Sequence, residues 1–231
     1  MKLKLLFVLI ILLNNAKFLK AQNKENHILV FQPGFAGTQL QVGESYYKFG
    51  KGDSIQFNTL KFYISNIECV EKNKTIWSEN NSYHLVDISD NKSLKVSLII
   101  PSKISFDQLN FNIGIDSITN VSGAMGGDLD PTKGMYWTWQ NGYINIKLEG
   151  KSNVCNTRNN EFEFHLGGYQ YPNYNMRKIE LIVKDNSNLN VFIDLEKFIS
   201  SIDLTNHHHI MEPSSGAMIV TNDFSKCFFV Q

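Results

Sequence analysis

The sequence predicts an all-β protein, an antiparallel β-sandwich with a few short helices, on three observations. Apolar and polar residues alternate at period two through segment after segment, clusters of Asn, Asp, Gly and Ser separate those segments, and helix-period patterns are scarce. The length suits one domain, because β-sandwiches reach about 200 to 250 residues as single units.

The first element is a leader. The chain opens Met1-Lys2-Leu3-Lys4, continues through an apolar run at 5–13 and turns small and polar at Lys20-Ala21-Gln22. That is the pattern of a secretory signal peptide, with cleavage expected after Ala21. The run is too short to span a bilayer, which takes about 20 apolar residues. No comparable stretch follows, and no Cys near the junction could carry a lipid. Residues 1–21 therefore read as signal peptide and 22–231 as a single β domain in the periplasm or outside the cell. Lys2, Lys4, Lys17 and Lys20 leave with the leader, so the 22 basic residues fall to 18 against 22 acidic ones, a net charge of −4. A mildly acidic chain without a basic stripe does not suit nucleic acid, whose phosphates demand clustered Lys and Arg.

Strands are expected, in order, at 28–31, 60–67, 83–87, 94–98, 109–113, 143–148, 162–166, 178–183 and 190–193. In the second of these, Leu60, Phe62, Ile64 and Asn66 should face one way, and Lys61, Tyr63, Ser65 and Ile67 the other. Short helices fit 194–201 and 217–224, where apolar residues recur at three- and four-residue spacing. Residues 123–139, rich in Gly and Asp and containing Asp130-Pro131, read as a loop. A loop this long in a compact domain is usually functional, and this one ends in Met135, Tyr136, Trp137 and Trp139. Three cysteines, Cys69, Cys155 and Cys227, permit at most one internal disulfide in an oxidising compartment. The odd thiol is expected to be buried and unreactive.

Several blocks carry a family resemblance. They are Lys61-Phe62-Tyr63-Ile64-Ser65-Asn66-Ile67, Tyr83-His84-Leu85-Val86-Asp87, Gly114-Ile115-Asp116-Ser117 with Asn120, Gly126-Gly127-Asp128-Leu129-Asp130-Pro131, Gly134-Met135-Tyr136-Trp137-Thr138-Trp139-Gln140-Asn141-Gly142-Tyr143, and Phe162-Glu163-Phe164-His165-Leu166-Gly167-Gly168. In this order, across nearly the whole mature chain, they resemble the MbnP-like family of copper-binding proteins. The resemblance implies a secreted or periplasmic protein that binds copper. In some members the gene lies beside one for a di-haem peroxidase-like partner, thought to oxidise a tryptophan of its substrate protein to kynurenine. His165 is the metal residue carried over, and Trp137 or Trp139 is the candidate for modification. The chain departs from the proteobacterial branch in having Val121 where that branch has His, and in lacking its four patterned cysteines. It ends Cys227-Phe228-Phe229-Val230-Gln231, where some relatives end in closely spaced histidines.

Imidazole suits copper in an oxidising compartment. His165, expected to be oriented by the carboxylate of Asp116, is the first candidate ligand, and His84, in an alternating strand beside Asp87, is the second. His207, His208 and His209 read as a surface loop with incidental metal affinity, since neighbouring side chains of an extended segment point to opposite faces. Asp116, Asn120, Asp128 and Asp130 lack the spacing and distal Glu of an EF-hand loop. Nothing in the chain supports an enzyme: there is no nucleophile elbow and no His-Glu-x-x-His helix. Glu161 and Glu163 share a strand face, but the carboxylates of glycosidases come from different elements. Two functions follow from these readings. One is a copper-binding protein, and the other is a non-catalytic interaction module at the cell surface that has kept the fold and lost the metal, with 123–139 as its contact loop.

Overall fold

The computed structural model describes residues 24–102, 104–186 and 189–231. The signal peptide and its cleavage point lie outside the described residues. The strands are β1 (Lys24–Phe35), β2 (Thr38–Gln39), β3 (Tyr46–Phe49), β4 (Asp53–Glu71), β5 (Lys74–Ser78), β6 (Tyr83–Asp87), β7 (Lys95–Pro101), β8 (Gln108–Ile113), β9 (Tyr136–Trp137), β10 (Gly142–Ser152), β11 (Glu161–Gly167), β12 (Arg177–Ile182), β13 (Leu189–Asp194), β14 (His209–Ile210) and β15 (Phe228–Val230). The helices are α1 (Ser117–Val121), α2 (Leu195–Ser200) and α3 (Ser215–Ser225).

These strands form two sheets, as a β-sandwich requires. The smaller runs β15-β13-β1-β2, with β7 also on β1. The larger runs β12-β8-β4-β10-β11-β14, with β3, β5 and β6 on β4 and β9 on β10. Pairing is antiparallel except for β1 with β13 and β11 with β14. Neither exception has a periodicity of its own, because parallel and antiparallel strands alternate alike.

β4 is the spine of the larger sheet, and its alternation has a break. Leu60, Phe62 and Ile64 enter the core between the sheets, as expected, but so do Ile67 and Cys69. Asn66, expected beside them, sits at a φ of 50°, and the β4–β8 register slips between Ser65 and Glu68. This is a β-bulge: one extra residue returns the following odd-numbered positions to the inner face. Asn tolerates the left-handed region better than most residues.

Aromatic rings fill the interior. Phe62 meets Phe31, Phe224 and Phe228 edge-on, with centroids 5.8, 5.9 and 5.9 Å away, the arrangement ring quadrupoles favour. The two expected helices close one end. Asp194 caps α2 through Lys197 N, and Ser214 caps α3 through Ala217 N, each satisfying an otherwise orphaned N–H. Their buried residues are Leu195, Phe198 and Ile199 in α2, and Ala217, Val220, Thr221 and Phe224 in α3. That is the i, i+3, i+4, i+7 stripe of a core-facing helix.

All three cysteines are free and buried, so no disulfide forms. Burial pushes the Cys69 and Cys227 thiols up to about 12, and raises Cys155 as well. Buried thiols held protonated are poor nucleophiles.

Candidate metal and tryptophan site

The loop at 123–139 is pinned to the outer face of the larger sheet. It is not wholly irregular: Gly127–Leu129 and Pro131–Lys133 are 3₁₀ turns, and Tyr136–Trp137 pairs with β10 as β9. A second, smaller core forms beneath it from Tyr63, Leu85, Ile115, Leu129, Met135, Trp137, Tyr143 and Ile144. Tyr63 Oη donates to Asp128 O at 3.1 Å, Tyr143 Oη donates to Leu129 O at 3.1 Å, and Leu85 N donates to Asp128 Oδ2 at 3.0 Å. The two tyrosines hold the loop by its backbone carbonyls, and Leu85 N holds it by the Asp128 carboxylate.

Trp137 belongs to this small core and is 6% exposed, whereas Trp139 is 65% exposed. Their ring centroids lie 5.9 Å apart. The indole of Trp137 lies over Gly167, where an added Cβ would come within 2.6 Å of Cζ3. Only glycine leaves that room, which is why Trp-x-Trp and His-Leu-Gly belong to one structural unit despite their separation in sequence.

His165 is on the same strand face as Gly167, two residues and about 7 Å along β11. It is 7% exposed. Its cross-strand neighbours form a row, Asp87, Lys61, Lys147 and His165, and the next row reads Thr59, Glu149, Glu163 and His209. The carboxylate that meets His165 is Glu149, with Nε2 to Oε1 at 2.7 Å. Asp116, expected in that role, is held elsewhere. It caps α1, a helix the sequence reading missed, accepting from Thr119 N at 2.9 Å and from Tyr83 Oη at 2.6 Å.

Electrostatics decide the tautomer of His165. Burial raises the Glu149 carboxyl, but hydrogen bonds from His165 and Thr59 and the charge of Lys147 outweigh it and hold the group below its ordinary range. Burial lowers the His165 imidazole, more than its bond to Glu149 raises it. The pair is therefore an ionised carboxylate and a neutral imidazole at neutral pH. An ionised carboxylate only accepts, so Nε2 carries the proton and Nδ1 keeps its lone pair. Thr59 Oγ1 donates to the other Glu149 oxygen at 2.8 Å, and Lys147 Nζ stands 3.4 Å from Oε1. The acceptor is thus itself fixed in place.

His84 is not brought to His165. It pairs in register with Ile64, whereas His165 belongs to the row of Lys61, so the two Cβ bonds leave the sheet on opposite sides. Its Nε2 is 2.8 Å from Glu79 Oε2 instead. In the histidine tract His207 and His208 are irregular, as expected of a surface loop, and only His209 departs from it. His208 O accepts from Glu163 N at 2.8 Å, and His209 and Ile210 form β14 on the edge of β11. His209 Nδ1 lies 3.2 Å from Glu163 Oε2, on the face that His165 occupies and about 8 Å from it by strand spacing. Among the described residues no group of three or more His, Cys, Asp or Glu side chains converges as a metal cage.

The Asp116 cap makes a prediction. Burial raises this carboxyl, but hydrogen bonds from Tyr83 and Thr119 outweigh it and lower it below its ordinary 3.8. A group depressed on folding stabilises above its unfolded value and loses that contribution as pH falls through its folded one. Asp116→Ala should cost about 1 kcal/mol at neutral pH, and urea titrations should show the deficit shrinking in acid below 3.8.

No helix among the described residues is long and apolar enough to cross a membrane. A search of curated protein sequences finds no match. The structure is similar to that of MbnP from Methylosinus trichosporium, with a TM-score of 0.57 and 15% identity over 85% of this chain and 83% of that one, a likeness of fold. The family model for MbnP matches residues 24–217, most of the sequence, and the chain therefore belongs to the MbnP family.

Proposed function

We propose that this protein is a secreted or periplasmic, non-catalytic copper-binding protein in which His165 is the anchoring donor. The observation that carries the reading is the 2.7 Å contact of His165 Nε2 with Glu149 Oε1, which with an ionised carboxylate leaves Nδ1 its lone pair. Metal-binding histidines characteristically donate their other ring N–H to a carboxylate, which fixes the tautomer and raises ligand basicity. The residues fit copper as one oriented imidazole, not as a finished cage. His209, on the same face, is the nearest second imidazole by strand spacing. When bound, copper would supply one cationic centre with an affinity for imidazole nitrogen and, as Cu(I), for softer donors.

The two tryptophans divide the remaining work. Trp139, 65% exposed, is the indole that an oxidising partner of the di-haem peroxidase-like kind would reach, whereas Trp137, 6% exposed, would stay packed over Gly167. A modified residue would appear as a mass gain on the tryptic peptide 134–147, which carries both.

Copper titration tests the metal reading. Tag-free protein should bind about one copper, and His165→Ala should weaken binding at least about tenfold, or 1.4 kcal/mol. His207→Ala should leave the site unchanged. Loss of binding in the His207 variant, with His165→Ala unaffected, would sink the proposal. That no three His, Cys, Asp or Glu side chains converge among the described residues is the observation behind a second reading, a metal-free interaction module using the loop at 123–139. Protein that binds no copper above the background of exposed imidazoles, and shows no modified Trp when isolated from its native source, would support that reading.

A further inference from the structure

Two neighbouring clefts share Tyr169 and Gln170 as a dividing wall. The first, about 300 Å³, is lined by Gln140, Gln170, Tyr169, Tyr171, Asn173 and Pro213. The second, about 570 Å³, is lined chiefly by Asn120, Tyr136, Thr138 and Asn141, with Val121 and Ala124. No Asp, Glu, Lys, Arg or His side chain lines either one. In a chain that is 19% charged, a surface of four amides (Gln140, Asn141, Gln170 and Asn173), a hydroxyl and three tyrosines is an unusual concentration of neutral polar groups, the Asn120 amide being already spent on Ile115 O, Asp116 O and Tyr143 N.

The frame of these clefts is built, not slack. Ser117 Oγ donates to Tyr169 O at 2.7 Å, Asn175 N donates to Gly168 O at 2.9 Å, and Asn173 Nδ2 donates to Pro213 O at 3.3 Å. The Tyr169 ring lies on Gly142, where an added Cβ would meet it at 2.9 Å. Gly168, at a φ of 128°, permits the turn into the aromatic segment. One acceptor is left over. Gln140 Oε1 is buried and has no hydrogen-bond partner. A buried polar atom without a partner costs about 1–3 kcal/mol, and turning the Gln140 amide toward the first cleft, which its residue lines, would let a ligand hydroxyl remove that cost. Tyr171, which lines that cleft, is 96% exposed, and Trp139, 65% exposed, lies in the chain between Thr138 and Gln140, which line the second and the first cleft. Rings left this open offer flat apolar faces that the fold itself does not cover.

We infer that this double cleft binds a neutral oligosaccharide, with hydroxyls met by the amides and apolar sugar faces by Tyr171 and Trp139. The chemistry selects the class. A sugar chain without charge presents many hydroxyls, which amides answer as both donors and acceptors, and C–H faces, which aromatic rings cover. Acidic polysaccharides would find no cation there. A peptide docking by strand addition would need a long free sheet edge, and apart from Tyr136 in the two-residue β9 these linings come from loops and α1. The inference stands apart from the copper reading, since neither cleft includes His165 or Glu149.

The test uses tag-free mature protein in chelator, titrated calorimetrically with cello-, malto-, chito- and laminari-hexaose, and with an acidic hexauronate for comparison. At least one neutral hexasaccharide should bind with a micromolar to millimolar Kd, and raising salt should not weaken it. Tyr171→Ala, at a position too exposed to threaten folding, and Gln140→Ala should each weaken binding at least about tenfold, and His165→Ala should bind as the parent does. Saturation by none of the neutral sugars, binding of the uronate alone, or unchanged affinity in both cleft variants would overturn the inference. Thermal unfolding of each variant separates lost contacts from lost structure.

Discussion

Trp137→Ala is expected to lower the unfolding free energy by about 3–5 kcal/mol, and Trp139→Ala by no more than about 0.5 kcal/mol. Trp137 packs among Tyr63, Leu85, Ile115, Leu129, Met135, Tyr143 and Ile144, all buried. Removing the indole leaves a cavity under a loop that is tied down by backbone hydrogen bonds to Tyr63 and Tyr143 and cannot collapse freely into the space. Trp139 gives up its contact with Trp137 and little else. Urea denaturation of the two variants measures the difference. Equal losses would show that the exposed ring is not idle in the fold, and would remove the reason for assigning the open indole to a partner.

The second large effect is expected from the smallest change. At Gly167 an added methyl would meet Tyr143 O at 2.6 Å and the Trp137 ring at 2.6 and 2.9 Å. The indole can shift, but the carbonyl oxygen is backbone within the sheet and yields little. Gly167→Ala should therefore cost about 1–3 kcal/mol through overpacking, and it should move Trp137, changing its fluorescence. Gly126→Ala is the control. No heavy atom lies within 4 Å of the position its Cβ would take, and it should stay within about 0.5 kcal/mol of the parent. A silent Gly167→Ala would mean that the indole does not rest on the His-Leu-Gly strand.

Much of the fold was legible because alternation is a local property. Leu60, Phe62 and Ile64 announce a strand by themselves, and the stripes of α2 and α3 announce helices. What escaped depends on neighbours far away in sequence. The bulge at Asn66 follows from the register with β8, although an Asn interrupting an apolar strand is a signal that was available. The α1 cap, Asp116 with Thr119 three residues on, was visible too, but five residues are too few to show a helical period. The partner of His165 was not legible at all. Glu149 lies 16 residues upstream and meets His165 only because β10 and β11 pair with Lys147 opposite His165. Asp116 was the wrong choice for the same reason: spacing along a chain says nothing about which carboxylate crosses a sheet. His209 reads as loop in the sequence because a two-residue edge strand has no periodicity, and only its pairing with Glu163 puts it on the face of His165.

The most direct measurement is a nitrogen-15 spectrum of histidine-labelled, tag-free protein before and after stoichiometric Cu(I). With Nε2–H committed to Glu149, the free protein should show His165 as a neutral Nε2–H tautomer at neutral pH. On adding copper, the His165 Nδ1 resonance should move while its Nε2–H signal persists, and Glu149→Gln should weaken that response. A shift confined to His207, His208 and His209, with both His165 nitrogens unchanged, would contradict copper binding at this site.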